Sequence, residues 1–130
     1  MHFLAHGTVT PEALAALQRH GHTVHNTLEL SADTDAPAEL LTQPRALLKL
    51  LVQHQWQLFT TDADLVHAIY EEQLEFPGGL IVLLLDDPAV LHDQAPAVER
   101  LFARYSRLTI RRLYTITPSR VKIRQLPGRP

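Results

Sequence analysis

Gln57-Leu58-Phe59-Thr60-Thr61-Asp62-Ala63-Asp64-Leu65 is a short apolar run that stops at a cluster of hydroxyls and carboxylates. An apolar run bounded by turn-forming residues reads as a buried parallel strand, and in open α/β sheets ligands collect beyond the carboxyl ends of such strands. Asp62 and Asp64 are therefore candidate site residues. Two carboxylates two positions apart suit a hard divalent cation, and many surface turns carry the same pair.

Working outward from this strand, strand and helix signals alternate. His2-Phe3-Leu4-Ala5 fits a first strand, punctuated by Gly7, Thr8 and Thr10. Thr10 can cap the helix that follows, with Pro11 at its first position and Gly21 ending it. His22-Thr23-Val24-His25 is a weak second strand. Residues 29–43 read as a polar loop with a short helix near Ala38 to Leu41, after which Pro44 can start a helix in which Leu47, Leu48, Leu51 and Val52 repeat at helical spacing. Trp56 falls where that helix hands over to the strand Gln57 to Thr60, and Asp62 to Gln73 reads as the next helix. Leu80-Ile81-Val82-Leu83-Leu84-Leu85 has the continuous branched character of a central parallel strand, ended by Asp86-Asp87-Pro88. A helix over Asp93 to Ser106 presents Val98, Leu101, Phe102 and Tyr105 inward. Beyond it the period changes to alternation in Leu108-Thr109-Ile110, Leu113-Tyr114-Thr115-Ile116 and Val121-Lys122-Ile123-Arg124, with a turn over 117–120. This order implies a three-layer α/β domain with a mainly parallel sheet. His6, Asn26, Thr60, Asp62 and Asp86 are then the polar residues nearest the strand ends.

The chain's 130 residues and 45% apolar content fit one soluble domain with one core. Without cysteine it has no disulfide, thiolate metal site or cysteine nucleophile. No basic region followed by a long apolar segment opens the sequence, and the run Leu80 to Leu85 is too short to cross a bilayer, so a cytoplasmic protein without membrane contact is expected. The net charge of -2 conceals an asymmetry. All 14 acids lie at or before Glu99, where the bases are only Arg19, Arg45 and Lys49. After Glu99 come nine bases, Arg100 through Arg129, and no acid. Such an end meets phosphate, an acidic partner, or the acidic body of its own fold.

Phe3-Leu4-Ala5-His6, Arg19-His20-Gly21-His22-Thr23-Val24, Thr60-Thr61-Asp62-Ala63-Asp64-Leu65, Gly79-Leu80-Ile81-Val82 and Arg120-Val121-Lys122-Ile123-Arg124, in this order, resemble small bacterial PIN-like proteins. The resemblance spans nearly the whole chain, and Thr60-x-Asp62-x-Asp64-Leu65 is its most specific element. It implies a three-layer α/β/α PIN-like domain over residues 1–130, ending in a β-hairpin with a basic segment over 107–126. It also implies a metal-dependent ribonuclease, often the toxin partner of an antitoxin. Carboxylates would hold Mg²⁺ or Mn²⁺, which lowers the pKa of a bound water and stabilises charge on the scissile phosphate. Asp62 and Asp64 match the late acidic pair as catalytic and metal-binding residues, with Thr60 orienting a carboxylate or phosphate.

Other positions depart from that pattern. Where the family carries an aspartate after the first strand this chain has His6, followed by Gly7, and the acid that opens the helix before the Thr-x-Asp strand is replaced by Gln43-Pro44-Arg45. Imidazole suits Mn²⁺ or Zn²⁺ better than Mg²⁺, so His6 is a candidate ligand of altered preference. Glu39, Asp33 or Asp35 could fold back as substitutes, and Asp86 could support the site or simply form a turn. Asp62 has the alternative of an ordinary helix N-cap, and His20-x-His22-x-x-His25 could be a metal cluster or residues straddling a helix end. On a strand, Arg120, Lys122 and Arg124 share one face, either as a ribbon for an RNA backbone or as a charged edge that blocks aggregation. Three functions follow: a metal-dependent ribonuclease with a reduced acidic site, a non-catalytic RNA- or protein-binding module, and an α/β interaction protein whose charge asymmetry drives homodimerisation.

Overall fold

The structure is a computed structural model that describes residues 1–27, 43–85 and 93–127. The expected short helix near Ala38, and the candidates Asp33, Asp35, Glu39 and Asp86, lie outside those residues. Among the described residues the chain is an α/β protein with a six-stranded, mostly parallel sheet and four helices. In chain order these are β1 (His2–His6), α1 (Pro11–Arg19), β2 (Thr23–His25), α2 (Pro44–His54), β3 (Gln57–Thr60), α3 (Ala63–Glu71), β4 (Leu80–Leu83), α4 (Gln94–Arg104), β5 (Arg112–Ile116) and β6 (Val121–Gln125). The strands lie in the order β2-β1-β3-β4-β5-β6. All neighbours are parallel except β5 and β6, which pair antiparallel.

The helix boundaries follow from capping chemistry. Thr10 accepts from the Ala13 N–H and Pro11 occupies the first turn of α1. At its other end Gly21 takes φ +87°, and the N–H groups of Gly21 and His22 bond the carbonyls of Gln18 and Leu17, closing the motif for which glycine is favoured. Helices α2 and α3 end the same way with Gln55 and Gln73 in the left-handed region at φ 60° and 54°. Glutamine there gives no sequence signal.

Strand alternation divides the core. Leu4, Leu58, Leu80 and Leu113 are partners in successive strands and pack with Leu47, Leu48 and Leu51 of α2 and Leu65 and Ile69 of α3. Phe59, Ile81 and Tyr114, partners in successive strands, and Phe3 belong to the opposite cluster and pack with Ala13, Ala16 and Leu17 of α1 and Val98, Leu101 and Phe102 of α4. Each strand side chain therefore faces the cluster opposite to that of its neighbour. Trp56 is buried in the first cluster, as its place before β3 suggests.

One expected strand does not form. Leu108-Thr109-Ile110 is irregular, because the Tyr114 hydroxyl accepts from the Thr109 N–H and Arg111 adopts φ 64° with its N–H bonded to the Gly78 carbonyl. Arg120 lies in the connection between β5 and β6, where the turn is read over 117–120, and so does not share a strand face with Lys122 and Arg124. That connection is held by Thr117, whose N–H and hydroxyl both donate to the Arg120 carbonyl.

Candidate functional site

The strand order reverses at β1, between β1 and β3, the kind of point where open α/β sheets bind ligands. His6 ends β1 and Thr60 ends β3, and the two are register partners. His6 Nδ1 lies 2.9 Å from Thr60 Oγ1, with donor and acceptor roles following the histidine tautomer. Thr60 is fully buried, and its hydroxyl also accepts from the Asp62 N–H at 3.0 Å. His6 and Thr60 therefore meet side chain to side chain, and Asp62 joins them through its backbone N–H.

The loops beyond these strands are laced to each other. Thr61 donates its N–H to the His6 carbonyl at 3.3 Å, and its hydroxyl accepts from the Thr8 N–H at 2.9 Å. Gly7 sits between them at φ +86°, where any Cβ would collide with Thr61 Oγ1. Any larger residue at position 7 would be strained by that φ and would have to displace the Thr61 hydroxyl. Gln94, 4% exposed at the start of α4, closes the lacing. Its Oε1 accepts from the Thr10 N–H at 2.9 Å and its Nε2 donates to the Thr8 carbonyl at 2.7 Å. Nothing in the sequence singles Gln94 out, because the contact spans the length of the chain.

Asp62 caps α3. With φ -91° and ψ 98° it turns its Oδ1 onto the N–H groups of Asp64 and Leu65, at 3.0 and 3.2 Å. Asp64 follows in the first turn, exposed, where its charge favours the helix dipole. Asp62 Oδ2 accepts no hydrogen bond among the described residues and is the oxygen that could meet a cation. Among the described residues no three His, Asp or Glu side chains come together as a metal cage. The His20-x-His22-x-x-His25 cluster is also divided. His20 and His22 stack on Phe102, with ring centroids 4.3 and 5.3 Å away, whereas His25 stacks at 3.9 Å on Trp56 in the other core cluster.

The basic candidates divide too. Lys122 and Arg124 project on the face of α3, since they pair with Thr115 and Leu113. The Arg124 guanidinium lies 3.9 Å from the Tyr70 ring centroid, and the Tyr70 hydroxyl donates to the Gln125 carbonyl at 2.9 Å. Burial pushes the Tyr70 phenol up from its ordinary pKa while the Arg124 charge opposes it. Both bases border a cavity of about 460 Å³ whose other walls include Val66, His67 and Tyr70 of α3 and Leu84. Arg120 instead faces Arg100 and Arg104 of α4 across a second cavity of about 660 Å³.

Register joins the two ends of this face. His6, Thr60, Val82, Thr115 and Lys122 are successive partners across five strands. At ~4.8 Å per strand spacing, Lys122 stands roughly 19 Å from His6. That is too far to share an ion and well suited to an extended chain laid across the sheet edge. Compared with known proteins, the chain matches no family model, no curated protein and no solved structure.

Proposed function

We propose that the chain is a PIN-like, three-layer α/β/α domain that binds RNA through its basic C-terminal third, without the metal-dependent cleavage of the ribonucleases it resembles. One observation carries this reading. In a segment with nine bases and no acid, Arg100, Arg104 and Arg120 border one cavity and Lys122 and Arg124 another, both beside β6. Arginine and lysine that pair with no carboxylate among the described residues attract a phosphodiester backbone irrespective of sequence. The loss of cleavage is supported by His6 standing where the family's first aspartate is expected, and by Asp62 using Oδ1 as a helix cap.

Single-stranded RNA of mixed sequence tests the proposal. Binding in EDTA, with the RNA recovered intact after incubation with Mn²⁺ or Mg²⁺, is the expected result; no binding in EDTA at low salt overturns it. The His6–Thr60 contact at the switch point, with Asp62 next along the chain, favours a second reading, a residual metal-dependent ribonuclease of toxin type. That reading requires Mn²⁺ or Mg²⁺ to raise the melting temperature of the parent and not of the Asp62→Asn, Asp64→Asn double variant.

A further inference from the structure

The cavity between α4 and the β5–β6 connection has the composition of a phosphate site. It is lined by Arg100, Ala103, Arg104, Ser119, Arg120 and Val121. Arg100 and Arg104 stand one turn apart on α4, so their side chains lie on the same face. Ser119 and Arg120 reach it from the connection, which Arg100 fixes by donating Nη2–H to the Thr117 carbonyl at 2.6 Å. The rest of the Arg100 guanidinium is not fully used, since its Nε–H is buried without an acceptor among the described residues.

Charge around the cavity is also unbalanced. Glu99 is the last acid before these residues, and its two oxygens are taken by Arg19 at 2.8 Å and His20 at 2.9 Å. Among the described residues no carboxylate is paired with Arg100, Arg104 or Arg120. Three fixed positive charges and a serine hydroxyl exceed what one monoanionic diester neutralises. A phosphomonoester, carrying about -1.5 to -2 and three acceptor oxygens, is the better match. The volume of about 660 Å³ lies within the range of small-molecule sites and leaves room for the nucleoside attached to that phosphate.

We propose that Arg100, Arg104, Ser119 and Arg120 form a binding site for a phosphomonoester borne by a nucleotide, either the phosphorylated end of an RNA or a free nucleoside monophosphate. The proposal deepens the RNA-binding reading and rests on it only for the first of those two sources.

The test compares five probes on the full chain: an oligoribonucleotide with a 5′-phosphate, the same with a 3′-phosphate, the same with hydroxyl ends, a nucleoside 5′-monophosphate and its nucleoside. Arg104→Gln with Arg120→Gln removes two exposed charges, and Arg45→Gln with Lys49→Gln removes two distant ones. At least one phosphorylated probe should bind the parent at least ~10-fold more tightly than its unphosphorylated counterpart. That preference should vanish in the Arg104, Arg120 variant and persist in the Arg45, Lys49 variant, with the melting temperature of each reported alongside. Preference for an oligonucleotide end identifies RNA as the source. Preference confined to the mononucleotide, with no oligonucleotide bound, sustains the site while overturning the RNA-binding reading. Equal affinity with and without the phosphate for every probe overturns the site, even where RNA binds. Preference retained in the Arg104, Arg120 variant overturns it as well.

Discussion

Thr60 concentrates more of the structure than its size suggests. It is buried at the end of β3, pairs with His6 and accepts the Asp62 N–H. Replacing it with valine keeps the shape, removes the acceptor of that N–H and takes one contact from the imidazole. Thr60→Val should therefore destabilise the fold by about 1–3 kcal/mol, with Thr60→Ser recovering most of it. Chemical denaturation checks both, and a Thr60→Val protein as stable as the parent would mean that the His6–Thr60 contact is incidental. The residue was legible from the sequence because an apolar run ends on it. Gln94 was not, because a buried clamp between distant segments leaves no local pattern, and the strand face read for Arg120, Lys122 and Arg124 holds only for the last two, since Arg120 falls in the turn before the pairing begins.

At the scale of elements, the strand Gln57 to Thr60 followed by Asp62 illustrates how one feature supports two readings. The carboxylate that suits a cation also suits the start of α3, and it forms that cap. Asp62→Ala should cost about 1 kcal/mol whatever the metal chemistry, whereas Asp62→Asn should retain the cap. Thermal unfolding without added metal distinguishes them; equal losses would show that the cap is not what Asp62 contributes. The metal test accordingly uses asparagine. Elements with strong local signals, such as the Thr10-Pro11 start and Gly21 end of α1, were legible in the sequence. The left-handed Gln55 and Gln73 and the irregular Leu108 to Ile110 depend on tertiary hydrogen bonds and were not.

Across the whole molecule, charge is distributed with a purpose at each end. Around α1 and α4, burial first, then the Met1 amino group and His20, lower the His22 pKa from its ordinary 6.5. Hydrogen bonds from His20 and Arg19 lower that of Glu99. In both cases the unfolded chain binds protons more readily, so stability is full above the unfolded pKa and is lost as pH falls through the folded one. The His22 contribution declines first, below 6.5, and the Glu99 contribution below the carboxylate value of 4.5. Lowering the pH from about 7.5 to 5.5 should reduce the melting temperature by a few degrees, and His22→Gln should flatten that dependence; an unchanged profile in the variant would remove His22 as its source. At the other end, five of the nine bases after Glu99, namely Arg100, Arg104, Arg120, Lys122 and Arg124, border two cavities beside β6. The sequence revealed their number, and the fold revealed that they divide between two faces. The most direct measurement of their role is the salt dependence of single-stranded RNA affinity in the parent and in a variant with Arg104, Arg120, Lys122 and Arg124 all changed to Gln. RNA binding through this region predicts a logarithmic slope shallower by about 0.7 for each phosphate contact removed, up to roughly 3 in all. An affinity and slope unchanged by the four substitutions would contradict it.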